Sequence, residues 1–184
     1  ARLEVSAHDY AQRGVVAFVL TEKPHEDTAW QRFLPSGPLA FLPFTEGRSS
    51  IVWTLPDDEA QRLLSLDDAA FGRELTLAMG GRLGVVDVAS PRAAFPLKRQ
   101  LANEYVAGRV IVAGDAAHVV HPLAGQGVNL GLRDVGALRD GIRGAQEKRA
   151  DWAAPHRLER WARQRRSENA TAAHAFEGIN RLFS

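Results

Sequence analysis

The chain has 184 residues, 45% hydrophobic and 24% charged, with a formal net charge of +1. That is ordinary for a globular protein, long enough to bury a core, and offers no electrostatic case for a nucleic-acid partner. There is no cysteine, which excludes disulfides, thiolate metal sites and cysteine nucleophiles, and no run nears the roughly 18 apolar residues of a membrane span.

The opening "ARLEVSAHDYAQRG" has no signal-peptide core and no initiator methionine, so the chain reads as beginning inside something longer. "GVVAFVLTE" (14–22) is β-rich and predicts a strand. "PLAFLPF" and "SSIVWTL" predict two more, joined by "TEGR" as a hairpin link. Pro43 inside the first of them suggests an edge position or a bulge. Ser65 and Asp68 have capping-box spacing, Phe71, Leu75 and Met79 share one helical face, and Gly80 with Gly81 predicts a stop. "VVDVA" (85–89) predicts a short strand and "YVAGRVIVAG" (105–114) a longer one. Beyond these, Val128, Leu132, Val135, Leu138 and Ile142 recur at helical spacing and predict a helix with one buried stripe. A last helix is expected from Pro155 to Phe183, with Leu158, Trp161, Ala172, Phe176 and Ile179 inward.

Chemistry concentrates in "GRVIVAGDAAHVVHPLAGQGVNLGLRD" (108–134). Strand, acidic residue, glycine-bearing turn and helix recur where a nucleotide-bearing cofactor binds. A carboxylate such as Asp115 can accept hydrogen bonds from vicinal hydroxyls, and a helix start leaves amides unpaired and partially positive. Gly125 and Gly127 admit a planar ligand where a Cβ would collide, and Asn129 can both donate and accept. The alternative is a plain turn with a capping aspartate. A P-loop is excluded because no Gly-Lys-Ser/Thr follows the glycines. His118 and His121 lack zinc-pair spacing, so no metal site is expected and His118 is expected to pack in the turn against backbone. "GGRLG" (80–84) follows a helix and reads as its stop rather than a dinucleotide fingerprint.

The blocks "GDAAH" (114–118) and "PLAGQGVNLGLRD" (122–134) closely resemble the second flavin motif of class A flavoprotein aromatic hydroxylases. More narrowly they resemble the ubiquinone-biosynthesis branch, of the 2-polyprenyl-6-methoxyphenol hydroxylase type. "TAWQRFLPSGPLAFLPF", "SSIVWTLP", "SPRAAFPLKRQLANEYV" and "GINRLF" extend the resemblance over essentially the whole chain.

That resemblance implies an α+β chain, the C-terminal part of a protein about twice as long whose full fold is α/β. Residues 1–105 would give most of a mixed or antiparallel substrate-domain sheet, 106–145 the second FAD motif, and 146–184 the closing helix. The family's G-x-G-x-x-G unit and its Asp-Gly motif are not in this chain. FAD is the implied cofactor and NAD(P)H the implied reductant, with hydroxylation through a flavin C4a-hydroperoxide. Asp115 would bind the ribose chain with Gly114 permitting its approach, and Pro122 would sit beside the flavin ring. Leu123 and Ala124 continue the loop, and Gly125, Gln126, Gly127, Val128 and Asn129 would line the pyrimidine edge. Phe41, Leu42, Pro43 and Trp53 would line a tunnel for a prenylated phenol, or simply fill the sheet core.

No catalytic acid, base or nucleophile is assigned. The isolated chain is expected to be inactive, to hold FAD weakly or not at all, and to self-associate through open sheet edges. Residues 139–166 carry nine Lys/Arg against four Asp/Glu, which suits peripheral contact with anionic lipid in a cytoplasmic protein at the inner membrane face. Hydroxylation of another aromatic compound, or a non-catalytic binding module, are the remaining readings.

Overall fold

The computed structural model describes residues 4–120 and 127–183; for residues 176, 177 and 179–183 it describes the backbone only. The chain is α+β and divides into two compact units, residues 11–97 with 181–184, and residues 1–10 with 98–180. Strands β1 (Val5–Thr21) and β6 (Ala93–Ala102) each run through both units.

The first unit is an antiparallel sheet in the order β2 (Trp30–Leu34), β3 (Gly37–Pro43), β4 (Arg48–Pro56), β1, with β5 (Val86–Val88) also pairing β1. Alternation along the strands puts Val15, Trp53 and Leu39 opposite one another in one cross-strand row, and Ala17, Ile51 and Phe41 in the next. Those rows are buried with Ala60 and Leu63 of α1 (Asp57–Ser65) and Phe71, Leu75 and Met79 of α2 (Asp68–Ala78) in one core.

Several expectations need correction here. β3 is not an edge strand; Pro43 is its last residue, paired with Ser49 on β4 but beyond Phe41, where pairing with β2 stops. Its missing N–H therefore interrupts no ladder. The cap of α2 is Asp67, whose carboxylate accepts from the Ala70 amide at 2.6 Å, while Ser65 ends α1 and donates to the Arg62 carbonyl at 2.7 Å. Gly80 and Gly81 do stop α2, both with positive φ, at 69° and 65°. β1 begins nine residues before the sequence pattern suggests, at Val5 rather than residue 14.

In the second unit, β6 pairs antiparallel with β9 (His118–Val119). The long strand expected over 105–114 is instead a two-residue hairpin, β7 (Val106–Ala107) and β8 (Val110–Ile111), turning at Gly108 with φ 62°. Helix α3 runs from Gly127 to Glu147 and α4 from Pro155 to Phe183, as the sequence predicts for α4. Pro155 suits the first helical position because its absent N–H would have no intrahelical partner. Trp161 packs with Tyr105, Ala102 and Ala117, and Leu130 with Val120 and Ala173.

The face of α3 is also corrected. Val128, Leu132 and Val135 are 73%, 65% and 58% exposed, and the helix buries Leu130, Asp134 and Ala145 instead. Of α4, Leu158 and Trp161 are buried and Ala172 half-buried; the side chains of Phe176 and Ile179 lie outside the described residues. No described helix is long and apolar enough to cross a membrane.

Candidate functional site

The polypeptide leaves β8 at Ile111, passes a 3-10 turn at Gly114–Ala116 and re-enters a strand at His118. Gly114 has φ 59°, a left-handed conformation that side chains disfavour. The turn rests on α3 at Gly131, where an added Cβ would stand 3.2 Å from the Gly114 Cα. Two backbones thus touch where side chains would hold them apart.

Asp115 is exposed at the crest of this turn, with no hydrogen-bond partner among the described residues. Gly114 is half-buried beneath it. At Gly127, which opens α3, an added Cβ meets nothing within 4 Å among the described residues. Val128 and Asn129 are exposed in the same first helical turn. Pro122, Leu123, Ala124, Gly125 and Gln126 lie outside the described residues. The turn and the start of α3 are therefore joined by direct packing, one presenting a carboxylate and the other a positive helix end.

Beneath the turn lies a cluster that sequence reasoning missed. Asp134 of α3 is fully buried, and its carboxylate takes hydrogen bonds from four directions. At Oδ2 it accepts from the Gly114 amide at 3.1 Å and from His118 Nε2 at 2.6 Å. At Oδ1 it accepts from Arg165 Nε at 2.8 Å and Asn169 Nδ2 at 3.0 Å. Burial alone would raise this carboxyl, but the bonds from His118, Asn169, Arg165 and Gly114 outweigh it and hold the group well below the usual carboxylate range. An ionised Asp134 only accepts, so His118 Nε2 carries a proton, and Nδ1 is buried without a hydrogen-bond partner among the described residues. His118 therefore packs in the turn as expected but bonds to a carboxylate rather than to backbone.

The cluster extends outward. Asn169 also donates to the Tyr105 hydroxyl at 3.2 Å, and Arg165 donates to Asn169 Oδ1 at 3.1 Å and to Glu168. Burial, and then the Asp134 charge, push the Tyr105 phenol up, so it stays protonated. A sequence signal existed. Leu158, Trp161, Arg165, Asn169 and Ala173 continue one helical face, and two polar residues within a buried stripe imply a buried partner.

The residues expected to line a substrate tunnel do not share a surface. Phe41 is fully buried and Trp53 is 5% exposed, both inside the sheet–helix core, because their registers face α1 and α2. Pro43 is half-buried. Leu42, one residue out of phase, is 42% exposed on the opposite face, in register with Ser50 and through it with Phe18. There the Phe18 and Phe44 rings lie 4.9 Å apart with the Arg48 guanidinium 5.4 and 5.6 Å from their centres. Among the described residues no three metal-ligating side chains gather.

Residues 5–175 match the family described as FAD binding domain. The chain is 41% identical over 175 residues to the ubiquinone hydroxylase UbiL of Rhodospirillum rubrum, covering 95% of this chain and 41% of that protein. It is 40% identical over 171 residues to the 3-demethoxyubiquinol 3-hydroxylase of Escherichia coli, covering 92% and 43%. The chain thus spans less than half the length of these relatives. In three dimensions it resembles PqsL of P. aeruginosa, solved with 2-aminobenzoylacetate, at TM-score 0.71 and 22% identity over 93% of this chain and 48% of that one.

Proposed function

The chain belongs to the FAD binding domain family, and from that premise we propose that it is part of an FAD-dependent monooxygenase hydroxylating a polyprenylated phenol in ubiquinone biosynthesis. The observation that carries this reading is the exposed Asp115 carboxylate, without a partner among the described residues, on a turn seated against the start of α3. The names of the relatives supply the substrate class.

The residues present fit the cofactor. Asp115 would accept hydrogen bonds from the hydroxyls of its ribityl chain, and the open backbone at Gly127 leaves room for a flat ring. Val128 and Asn129 would continue that edge. FAD, held there, would supply the redox chemistry of a hydroxylation that uses NAD(P)H and O2, with one oxygen atom going to the ring and the other leaving as water. The chain's own contribution is binding, orientation and a positive helix end that favours negative charge on the ring. No side-chain acid or base is required of it.

The substrate would lie on the open sheet face at Leu42, Phe18 and Phe44 rather than against Phe41 or Trp53. The test is turnover by the complete reading frame that contains this chain. It should oxidise NAD(P)H and hydroxylate a prenylphenol, and Asp115→Ala should empty it of FAD. Preference for soluble phenols would move the substrate assignment to another aromatic compound. Flavin-free, inactive protein would support a binding module instead.

A second observation bears on the substrate's source. A groove of about 500 Å3 between α3 and α4 has Leu138, Ile142 and the 40% exposed Trp152 beside Lys148, Arg157 and Arg160. An apolar floor with a cationic rim suits an anionic lipid surface, from which a polyprenyl compound would be drawn. Flotation with phosphatidylglycerol vesicles, but not with phosphatidylcholine alone, is the expected result; absence from both overturns it.

A further inference from the structure

An ion pair as deeply buried as Asp134 with Arg165 is weak evidence for stability, because well-packed apolar residues do as well or better. Its geometry suggests a different role. One carboxylate oxygen, Oδ2, accepts from Gly114 at the start of the turn and from His118 at its end. Those two bonds bracket Asp115. The other oxygen is held by Arg165 and Asn169, 31 and 35 residues further along the chain on α4. The Trp161 indole also donates to the Asp134 carbonyl at 3.3 Å, fixing the helix backbone from which the side chain springs.

We infer that Asp134 is a positioning residue for flavin: it clamps both ends of the 114–118 turn so that Asp115 faces the ribityl hydroxyls, and Arg165 and Asn169 hold Asp134 in that orientation. Helix α4 then sets cofactor affinity without touching cofactor. This rests on the FAD reading above. Asp134 itself is fully buried and is no ligand.

The test separates positioning from bulk stability by choice of probe. Riboflavin carries the ribityl chain; lumiflavin has the same isoalloxazine ring with only a methyl group in its place. Fluorescence titration of the flavin-free complete protein with each is compared between wild type and Asp134→Asn, alongside amide hydrogen exchange at residues 114–118. The expected result is riboflavin binding weakened on the order of tenfold, lumiflavin binding unchanged, and exchange accelerated at Gly114 while distant amides of β3 and β4 keep their protection. Equal losses for both flavins, or unchanged exchange at Gly114, overturn the inference.

If Asp134→Asn does not fold, Asn169→Ala carries the same test, since it leaves both charges of the pair in place; it should give the same pattern at smaller size. Asp115→Asn distinguishes the two readings. It should weaken riboflavin without altering exchange at Gly114. A complete wild-type protein that binds neither flavin refutes the flavin assignment, whatever the exchange result, whereas flavin binding unaffected by Asp134→Asn refutes the clamp alone.

Discussion

Gly131 of α3 lies against the Gly114 turn, and a Cβ there would stand 3.2 Å from the Cα of Gly114. The neighbour is backbone rather than the end of a flexible side chain, so it yields only by moving the turn.

Gly131→Ala sets about 1 kcal/mol of helix propensity against overpacking that costs about 1–3 kcal/mol, and should lower the melting temperature. Gly136→Ala and Gly141→Ala, where an added Cβ meets nothing within 4 Å, should each gain up to ~1 kcal/mol. Thermal melts of the three variants decide it; a stabilised Gly131→Ala would mean the turn is loose.

Acid should unfold the second unit through Asp134. Its pKa in the folded chain is depressed, below the ~3.9 of an unfolded aspartate. Its stabilising contribution is therefore complete above that unfolded value and is lost as pH falls through it toward the folded one. Urea unfolding between pH 6 and 2 should show wild-type stability declining more steeply below pH ~4 than in Asp134→Asn, which has no carboxyl to titrate there. Parallel curves would contradict the hydrogen-bonded, ionised carboxylate.

The two faces of β3 should respond differently. Phe41→Ala empties a fully buried site and should cost about 3–5 kcal/mol. Leu42→Ala, on the open face, should change stability by less than about 0.5 kcal/mol while raising KM for a prenylphenol in the complete enzyme. Denaturant melts and steady-state kinetics test the two halves separately.

At the start of α2, Asp67→Ala should cost about 1 kcal/mol by removing the acceptor for the Ala70 amide. Ser65→Ala should cost less, since Ser65 only returns a bond to the last turn of α1. Chemical denaturation of both variants assigns the cap.

Local rules read well where local forces decide. Pro155 marks the start of α4, and Gly80 with Gly81 marks the end of α2, because each acts through its own backbone. The apolar run at 110–113 misleads, because positive φ at Gly108 folds the segment into a hairpin. Helical spacing in α3 identifies Val128, Leu132 and Val135 as one face, yet periodicity cannot say which face this chain covers, and Leu130 and Asp134 are the ones buried. The turn that carries Asp115 was legible from its Gly-Asp pair. Its anchor was not, since a buried carboxylate resembles a solvated one until Arg165 and Asn169 are seen against it.

The span of the Asp134 contacts also orders events in time. Residues 114 and 118 leave the ribosome together with α3, but Arg165 and Asn169 follow 31 and 35 residues behind Asp134. Until α4 is synthesised and docks, the carboxylate has only half its partners and the turn only a provisional shape. Such distant closures come late in folding. If Asp134 sets the turn, a nascent chain is unready for flavin until α4 is in place, and flavin uptake would report that α4 has docked.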